Sequence, residues 1–428
     1  MINIERYPSR NSWNNIIQRA NADDKSIKKA VRKILKSVRK DGDKALHEYT
    51  LKFDGTRIKK FLVDEGAIFD AANSIDQDLK KAILHAKGNL TAFHELQKET
   101  GKKIEIANGV TCWRFSSAIQ KVGLYIPGGN APLFSTILML GIPAVLAGCR
   151  DIILCTPPGK FGNIHPAILF TAHICGISKI FKIGGAQAIG AMAYGTNSIP
   201  KVDKIFGPGN QYVTCAKQLV QQEGISIDMP AGPSELMIVS DNTGVASYIA
   251  ADLLSQAEHG PDSQVIFATD NERFAMNVAE EITIQVPGLS RLKIIKEALK
   301  NSRIVVLKTL DECMQLANEY APEHLILAGN SASGLLSSVH TAGSVFIGNY
   351  SSESAGDYAT GTNHTLPTNG HARAYSGVSV DSFVKKITVQ EVTREGLQSI
   401  GSTVMTMAAA EGLDAHKNAI SIRLKNMK

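Results

Sequence analysis

Two side chains able to bind a metal stand three residues apart in Ser255-Gln-Ala-Glu-His-Gly-Pro-Asp-Ser-Gln264, where the apolar spacing before them predicts a helix. On a helix that spacing puts Gln256 and His259 on one face, and Gly260-Pro261 ends the helix directly after them. By themselves two ligands are no site, and a capped polar helix end is the simpler account. Partners must come from elsewhere. Ala321-Pro-Glu-His324 falls between a predicted helix and a predicted strand, so the adjacent Glu323 and His324 point to different sides. That arrangement suits two separate proton transfers, the imidazole titrating near neutrality and the carboxylate acting as a base once desolvated. An exposed loop pair is the competing reading. Further on, Glu353-Ser-Ala-Gly-Asp357-Tyr-Ala-Thr-Gly-Thr-Asn-His364 gathers two acids and a histidine among small residues, a composition shared by built sites and ordinary turns. Near the end, Glu411-Gly-Leu-Asp-Ala-His416 adds one more acid and one more histidine, although an isolated tail histidine is usually at the surface. Gln256, His259, Asp357 and His416 together form a nitrogen and oxygen set acceptable to zinc or manganese. No His-Glu-x-x-His, Cys-x-x-Cys or acidic calcium loop offers an alternative.

Three Gly-rich turns suggest a second kind of chemistry. Pro127-Gly128-Gly129-Asn130, Gly184-Gly185-Ala186-Gln187 and Gly207-Pro208-Gly209-Asn210 each join a predicted strand to a predicted helix. In a parallel sheet such turns lie at the carboxyl ends of the strands, where helix N-termini offer unpaired N–H groups to a phosphate. The usual dinucleotide fingerprint is absent, and the second strand ends Cys155-Thr156-Pro157 without the acid that would hold a ribose. A dinucleotide here would be held loosely, by an incomplete version of the fold.

The elements that carry these residues follow from periodicity. A chain of 428 residues is too long for one core and predicts two or three domains. Helical patterns run over 26–39, 43–53 and 76–97. After Val110 strands alternate with helices: strands at 122–126, 151–156, 179–183 and 202–206, then 235–240, 264–269, 303–308, 324–328 and 344–347. Helices fill the intervals at 133–147, 164–175, 187–194, 211–222, 245–258, 272–282, 291–299 and 311–320. This pattern predicts an α/β protein of two units with parallel sheets covered on both faces, joined by the crossing at 228–234. The first twenty or so residues, with Trp13, Ile16 and Ile17 as anchors, dock onto another part. Beyond Phe383 a strand-like stretch from Ile387 leads into an Ala- and Met-rich helical tail that must pack on the body or on a second subunit.

Composition excludes several classes. Hydrophobic residues at 44% and charged residues at 20% are ordinary for a globular protein, and the formal charge of +6 is small. Much of it lies in 25–40, an amphipathic helix with a basic solvent face; with no recognition motif nearby, nucleic acid is not an expected partner. The stretch 131–149 carries no charge, but Pro132, Ser135, Gly141 and Pro143 interrupt it, so a helix buried against a sheet is expected instead of a membrane span. Cys112, Cys149, Cys155, Cys175, Cys215 and Cys313 show no redox or metal spacing and read as reduced thiols of a cytoplasmic protein. No apolar run near the N-terminus suggests a signal peptide.

Five segments carry a resemblance: Leu253-Leu-Ser-Gln-Ala-Glu-His-Gly-Pro-Asp-Ser-Gln264, Asp228-Met-Pro-Ala-Gly-Pro-Ser-Glu235, Lys201-Val-Asp-Lys-Ile-Phe-Gly-Pro-Gly-Asn210, Pro322-Glu-His-Leu325 and Gly361-Thr-Asn-His-Thr-Leu-Pro-Thr368. In order and over nearly the whole chain, they resemble the signature segments of the histidinol dehydrogenases. The resemblance implies a zinc enzyme, one Zn²⁺ per subunit, that oxidises L-histidinol to L-histidine through L-histidinaldehyde with two NAD⁺, the last step of histidine biosynthesis. It implies that Gln256, His259, Asp357 and His416 hold the zinc, His416 coming from the other subunit of a homodimer through a swapped C-terminal arm. His324 would take the alcohol proton and Glu323 would activate the water that hydrates the aldehyde. Ser234, His364 and Glu411, with Gln256, His259, Asp357 and His324, would contact substrate; Tyr125, Gln187 and Asn210 would contact the dinucleotide.

On this basis the expected organisation is a docking segment 1–24, a discontinuous domain of 25–121 and 234–380 carrying the metal and catalytic residues, a dinucleotide-binding domain 122–233, and a dimerisation arm 381–428. The units would be incomplete Rossmann-like and aldehyde-dehydrogenase-like. Ser351-Ser352-Glu353 departs from the Thr-Pro-Glu of many members and predicts a looser turn before Asp357. Two other classes remain open: a zinc hydrolase in which Glu323 activates metal-bound water without redox, and a non-catalytic nucleotide-binding scaffold.

Overall fold

The structure, a computed structural model, describes residues 2–19, 24–99, 101–128, 132–230 and 232–427. In chain order its strands are β1 (Asn3–Arg6), β2 (Ile104–Ala107), β3 (Val110–Ala118), β4 (Lys121–Tyr125), β5 (Asp151–Thr156), β6 (Lys179–Lys182), β7 (Lys204–Phe206), β8 (Ser226–Ile227), β9 (Glu235–Ser240), β10 (Gln264–Thr269), β11 (Arg303–Val306), β12 (His324–Ala328), β13 (Ser344–Ile347) and β14 (Val384–Val392).

Five of them form a parallel sheet in the order β6-β5-β4-β7-β8. Helices cover both faces, which is why β4 and β5 read as apolar runs and not as alternating ones. The uncharged helix Ser135–Ala147 lies in this core with Ile137 through Leu140 buried. Among the described residues no helix is long and apolar enough to cross a membrane.

The helices ahead of this sheet correct an expectation. Val31, Ile34, Leu35 and Val38 of helix Asp24–Asp41 and Leu46 of helix Asp43–Asp54 share one core with Ile153, Ile189 and Val220. Ile68 of helix Glu65–Ser74 and Ile83 and Leu90 of helix Gln77–Glu95 share the core of the other face with Leu124 and Ile137. The segment from 24 to 95 therefore packs on the five-stranded sheet, not on the unit of 234–380 to which the sequence reading joined it. An apolar helical stripe says that a face is buried but not against what.

A second parallel sheet has the order β1-β11-β10-β9-β12-β13. Here β9 and β10 are buried at every position. The N-terminal segment adds β1 to the sheet edge and buries Trp13, Ile16 and Ile17 beneath Met237 and Leu325.

The third sheet, β14-β3-β2, is antiparallel, with nine tail residues paired from Val384↔Ala118 to Val392↔Val110. Neither β2 nor β3 was expected, because their side chains are largely exposed or half-buried and leave no two-residue alternation. From this sheet the tail runs on as helices Arg394–Ala410 and Asp414–Lys425. The second buries none of its side chains, and Met407, Leu413 and Ile422 are exposed.

Candidate active site

A cavity opens between the carboxyl ends of β4 and β7 in one sheet and the amino ends of β9 and β12 in the other. Its walls include Gly128, Gly207, Ser234, Glu323, His324, Asp357 and His364. Helix Leu310–Tyr320 ends on Ala321 in the left-handed region, φ 50°, with its N–H on the Ala317 carbonyl. This sharp exit carries Pro322-Glu-His straight into β12, and both functional side chains are buried there.

The main chain of Glu235, first residue of β9, brackets the pair. Its N–H donates to Glu323 Oε2 at 2.9 Å, and its carbonyl oxygen lies 3.2 Å from His324 Nδ1. A carbonyl can only accept, so Nδ1 carries the proton and Nε2 keeps its lone pair. Nε2 is buried with no hydrogen-bond partner among the described residues, 3.9 Å from Asp357 Oδ1. Burial pushes the imidazole down to about 4 against the pull of Asp357, so the ring is neutral near pH 7 and able to accept a proton. Burial raises the Glu323 carboxyl well above the usual range, with the charges of Glu235 and Asp357 adding to the effect.

Glu235 is itself braced. Arg19 grips its carboxylate with Nε and Nη2, the latter at 2.8 Å from Oε2, donates to the Tyr320 carbonyl at 2.7 Å, and stacks 4.1 Å over the Tyr320 ring. The Asn369 N–H adds a bond of 2.8 Å to Oε1. Burial still raises the Glu235 carboxyl above its ordinary range, outweighing Arg19.

Helix Glu353–Tyr358 turns Glu353 and Asp357 to one side, four residues apart. The looser turn expected before it is not found. Ser352 Oγ caps the helix by accepting the Ala355 N–H at 3.2 Å, and Ser351 Oγ donates to the Ile347 carbonyl at 2.6 Å, so two hydroxyls do the work of a proline ring. Ligand atoms of His259, Glu353 and Asp357 lie within 4.8 Å of one another. Gln256 is fully buried, its side-chain amide set between the Glu235 N–H and the Glu353 carboxylate, an arrangement that favours the amide nitrogen on the Glu353 side. His259, following helix Ala246–Ala257, is exposed by surface area yet desolvated on its cavity side, which holds its imidazole below the ordinary range against Asp357 and Glu258. Burial raises Glu353 as well, with Asp357 and Glu323 repelling its charge.

The ligand atoms of His259, Glu353 and Asp357, one imidazole nitrogen and two crowded carboxylates, fit a divalent cation of nitrogen and oxygen preference. The single chain does not bring the whole expected set together. His416 and Glu411 are exposed on the C-terminal arm and line no wall of this cavity. Sequence reasoning did not assign roles to Glu353, Glu235 or Arg19. The four-residue spacing of Glu353 and Asp357 was a usable signal, whereas nothing local marks Arg19.

Tyr125, Gln187 and Asn210 line a neighbouring cavity of about 880 Å³, and Gly128 borders both. Tyr125 Oη accepts the Gly185 N–H at 3.0 Å, and burial pushes its phenol up to about 12. Asn210 caps helix Gln211–Gln222, its Oδ1 accepting from Tyr212 and Val213. Gln187 is 1% exposed, and neither of its amide atoms has a partner among the described residues. Gly129 and Asn130 of the first turn lie outside the described residues. The third turn needs glycine: Gly207 has φ 122°, and a Cβ there would stand 2.0 Å from the Tyr125 carbonyl oxygen. A buried pair, Lys217 and Asp228, clamps that turn from below, Lys217 Nζ on the Gly207 carbonyl at 2.8 Å and Asp228 Oδ2 on the Gly207 N–H at 2.7 Å.

Comparison with known proteins adds an independent finding. The family model described as histidinol dehydrogenase matches residues 17–424. A histidinol dehydrogenase of Bacteroides thetaiotaomicron is 53% identical over 428 residues, covering 100% of both chains. One from Bacteroides fragilis is 52% identical over 423 residues, 99% of each. The crystal structure of histidinol dehydrogenase from Elizabethkingia anophelis superposes with a TM-score of 0.97 at 51% identity, covering 100% of this chain and 98% of that one.

Proposed function

The chain belongs to the histidinol dehydrogenase family, matched over residues 17–424, and from that premise we propose that it oxidises L-histidinol to L-histidine through L-histidinaldehyde, reducing two NAD⁺ in turn. The observation that carries this reading is the Glu235 bracket: one backbone residue holds an acid and a neutral imidazole in separate, fixed positions. Two oxidations need two proton transfers of different kinds. In the first, the alcohol proton passes to His324 Nε2 as its carbon loses hydride to the dinucleotide. In the second, Glu323 accepts a proton from water as its oxygen adds to the aldehyde carbon, and the hydrate then loses hydride to the second dinucleotide.

Gln256, His259, Asp357 and His416 of the partner subunit would hold zinc. Bound there, the metal supplies a fixed positive charge and orients the substrate. That charge would also relieve the repulsion among Glu323, Glu353 and Asp357, leaving Glu323 able to ionise. Ser234, His364 and Glu411 complete the substrate contacts, Glu411 arriving with the same arm in a cytoplasmic homodimer. The apolar residues of the tail support such an arm, since Met407, Leu413 and Ile422 are exposed in the single chain.

The test is spectrophotometric. Zinc-loaded protein with L-histidinol and NAD⁺ should yield about two NADH per substrate consumed. Protein of full metal content that produces no NADH would exclude the dehydrogenase reading and leave hydrolysis.

A further inference from the structure

The sequence lacks an acid at the end of β5, where a dinucleotide fold ordinarily keeps the residue that receives the ribose hydroxyls. The structure brings one to the same cavity from elsewhere. Asp54 is the last residue of helix Asp43–Asp54, which Gly55 ends at φ 67°. Thr56 fastens that helix end to the loop after β5, its hydroxyl donating to the Lys160 carbonyl at 3.0 Å. Asp54 thus lines the cavity beside Pro157, the residue that follows β5, together with Tyr125, Gln187 and Asn210.

Asp54 Oδ2 is buried with no hydrogen-bond partner among the described residues. An unsatisfied buried carboxylate oxygen is costly, and donors from a ligand would relieve that cost. Burial pushes the carboxyl up to about 6, so it is still ionised at neutral pH. Ile34, Tyr49 and Phe53 supply apolar wall in the same cavity, suited to a flat base. Gln187, unpartnered at both amide atoms, marks the cavity as one completed by a polar ligand. Lys33 and Lys52 also line it, but both are exposed, so water and salt screen their pull on a phosphate far more than they screen a buried oxygen.

We infer that Asp54 receives the 2′- and 3′-hydroxyls of the adenosine ribose and thereby selects a dinucleotide with a free 2′-hydroxyl over one bearing a 2′-phosphate. The inference rests on the dinucleotide reading above. An ionised carboxylate accepts from two hydroxyls at once but repels a phosphate dianion at the same distance.

Steady-state kinetics of the full-length protein with L-histidinol test this with NAD⁺, NADP⁺ and an NAD⁺ analogue lacking the adenosine 2′-hydroxyl. For the wild type, the analogue should raise KM roughly tenfold, the loss expected of one hydrogen bond to a charged group. Asp54→Asn should raise KM for NAD⁺ by a similar factor with kcat little changed, should treat NAD⁺ and the analogue nearly alike, and should reduce the preference for NAD⁺ over NADP⁺ by about tenfold or more. The analogue measurement needs no substitution, so a variant that fails to fold cannot obscure the answer. Equal wild-type KM values for NAD⁺ and the analogue, or an unchanged NAD⁺/NADP⁺ preference in Asp54→Asn, would overturn the role of Asp54 while leaving the dehydrogenase reading intact. A wild type that reduces none of the three would overturn both.

Discussion

The two cavities that meet at Gly128 are built on opposite plans. Around Glu323 and His324 a braced main chain fixes the reacting groups: the Glu235 main chain holds both side chains, Arg19 and Asn369 hold Glu235, and Tyr320 holds Arg19, while His324 Nε2 and His364 Nε2 keep no partner among the described residues. Around Gln187 and Asp54 polar atoms are buried without partners among the described residues. The difference follows from what each cavity has to do. Groups that transfer protons must keep a fixed geometry while substrate changes chemically in front of them, so hydrogen bonds from the main chain and a buried ion pair hold them from behind. If, as proposed, the second cavity exchanges two dinucleotides per turnover, it gains from leaving its hydrogen bonds to be completed by the ligand, at the cost of weak binding. In the proposed enzyme the catalytic cavity also takes residues from a second chain, whereas the proposed dinucleotide contacts all come from one.

That contrast can be broken, most drastically by subunit mixing. Inactive His416→Ala and inactive His259→Ala subunits should regain activity on mixing, because one of the two sites in a heterodimer is intact; heterodimers without activity would place His416 in its own subunit's service. Mixing two Gln187→Ala and Asp54→Asn preparations should show no such complementation. Next in size, Glu323→Gln should slow aldehyde oxidation by roughly 10²- to 10⁴-fold while slowing alcohol oxidation far less, as single-turnover measurements from each substrate would show. Equal losses would remove the separation of roles. Arg19→Met leaves Glu235 buried without its cation and should lower stability by about 3–5 kcal/mol in urea titration. Its kinetic signature should be a fall in kcat with KM for NAD⁺ unchanged, and that of Lys217→Met, which strips the clamp under Gly207, the reverse. The smallest effect is expected from Thr56→Val: about 1 kcal/mol of stability and a few-fold rise in KM for NAD⁺, from one lost hydroxyl bond.

Much of the fold was legible. The limits of β9, β10, β12 and β13 follow from their apolar runs, and Glu-His at a strand entrance was visible as a candidate for two proton transfers. Gln256 and His259 were recognisable from their spacing at a helix end. Of the antiparallel sheet only β14 was, as the strand-like stretch from Ile387; β2 and β3 were not, because strands exposed on both sides lose the alternation that reveals them. Nor were Arg19 and Asp54 candidates, as each meets its partners across a long stretch of chain. Arg19 and Glu235 are 216 positions apart, and no local period records such a pairing.

Sequence alone determined the helices and the buried strands, because backbone period and capping are written within a few residues of where they act, and it marked Glu323 and His324 as side chains with the right chemistry. Only the tertiary structure decided which sheet the helices of 24–95 cover, that the amino edge of one sheet faces the carboxyl edge of the other, and that Asp54 at a helix end reaches the cavity beside Pro157. Those outcomes depend on which buried surfaces match in shape, and burial in turn sets His324 neutral, raises the Glu323 carboxyl above its usual range and leaves Asp54 Oδ2 without a donor among the described residues.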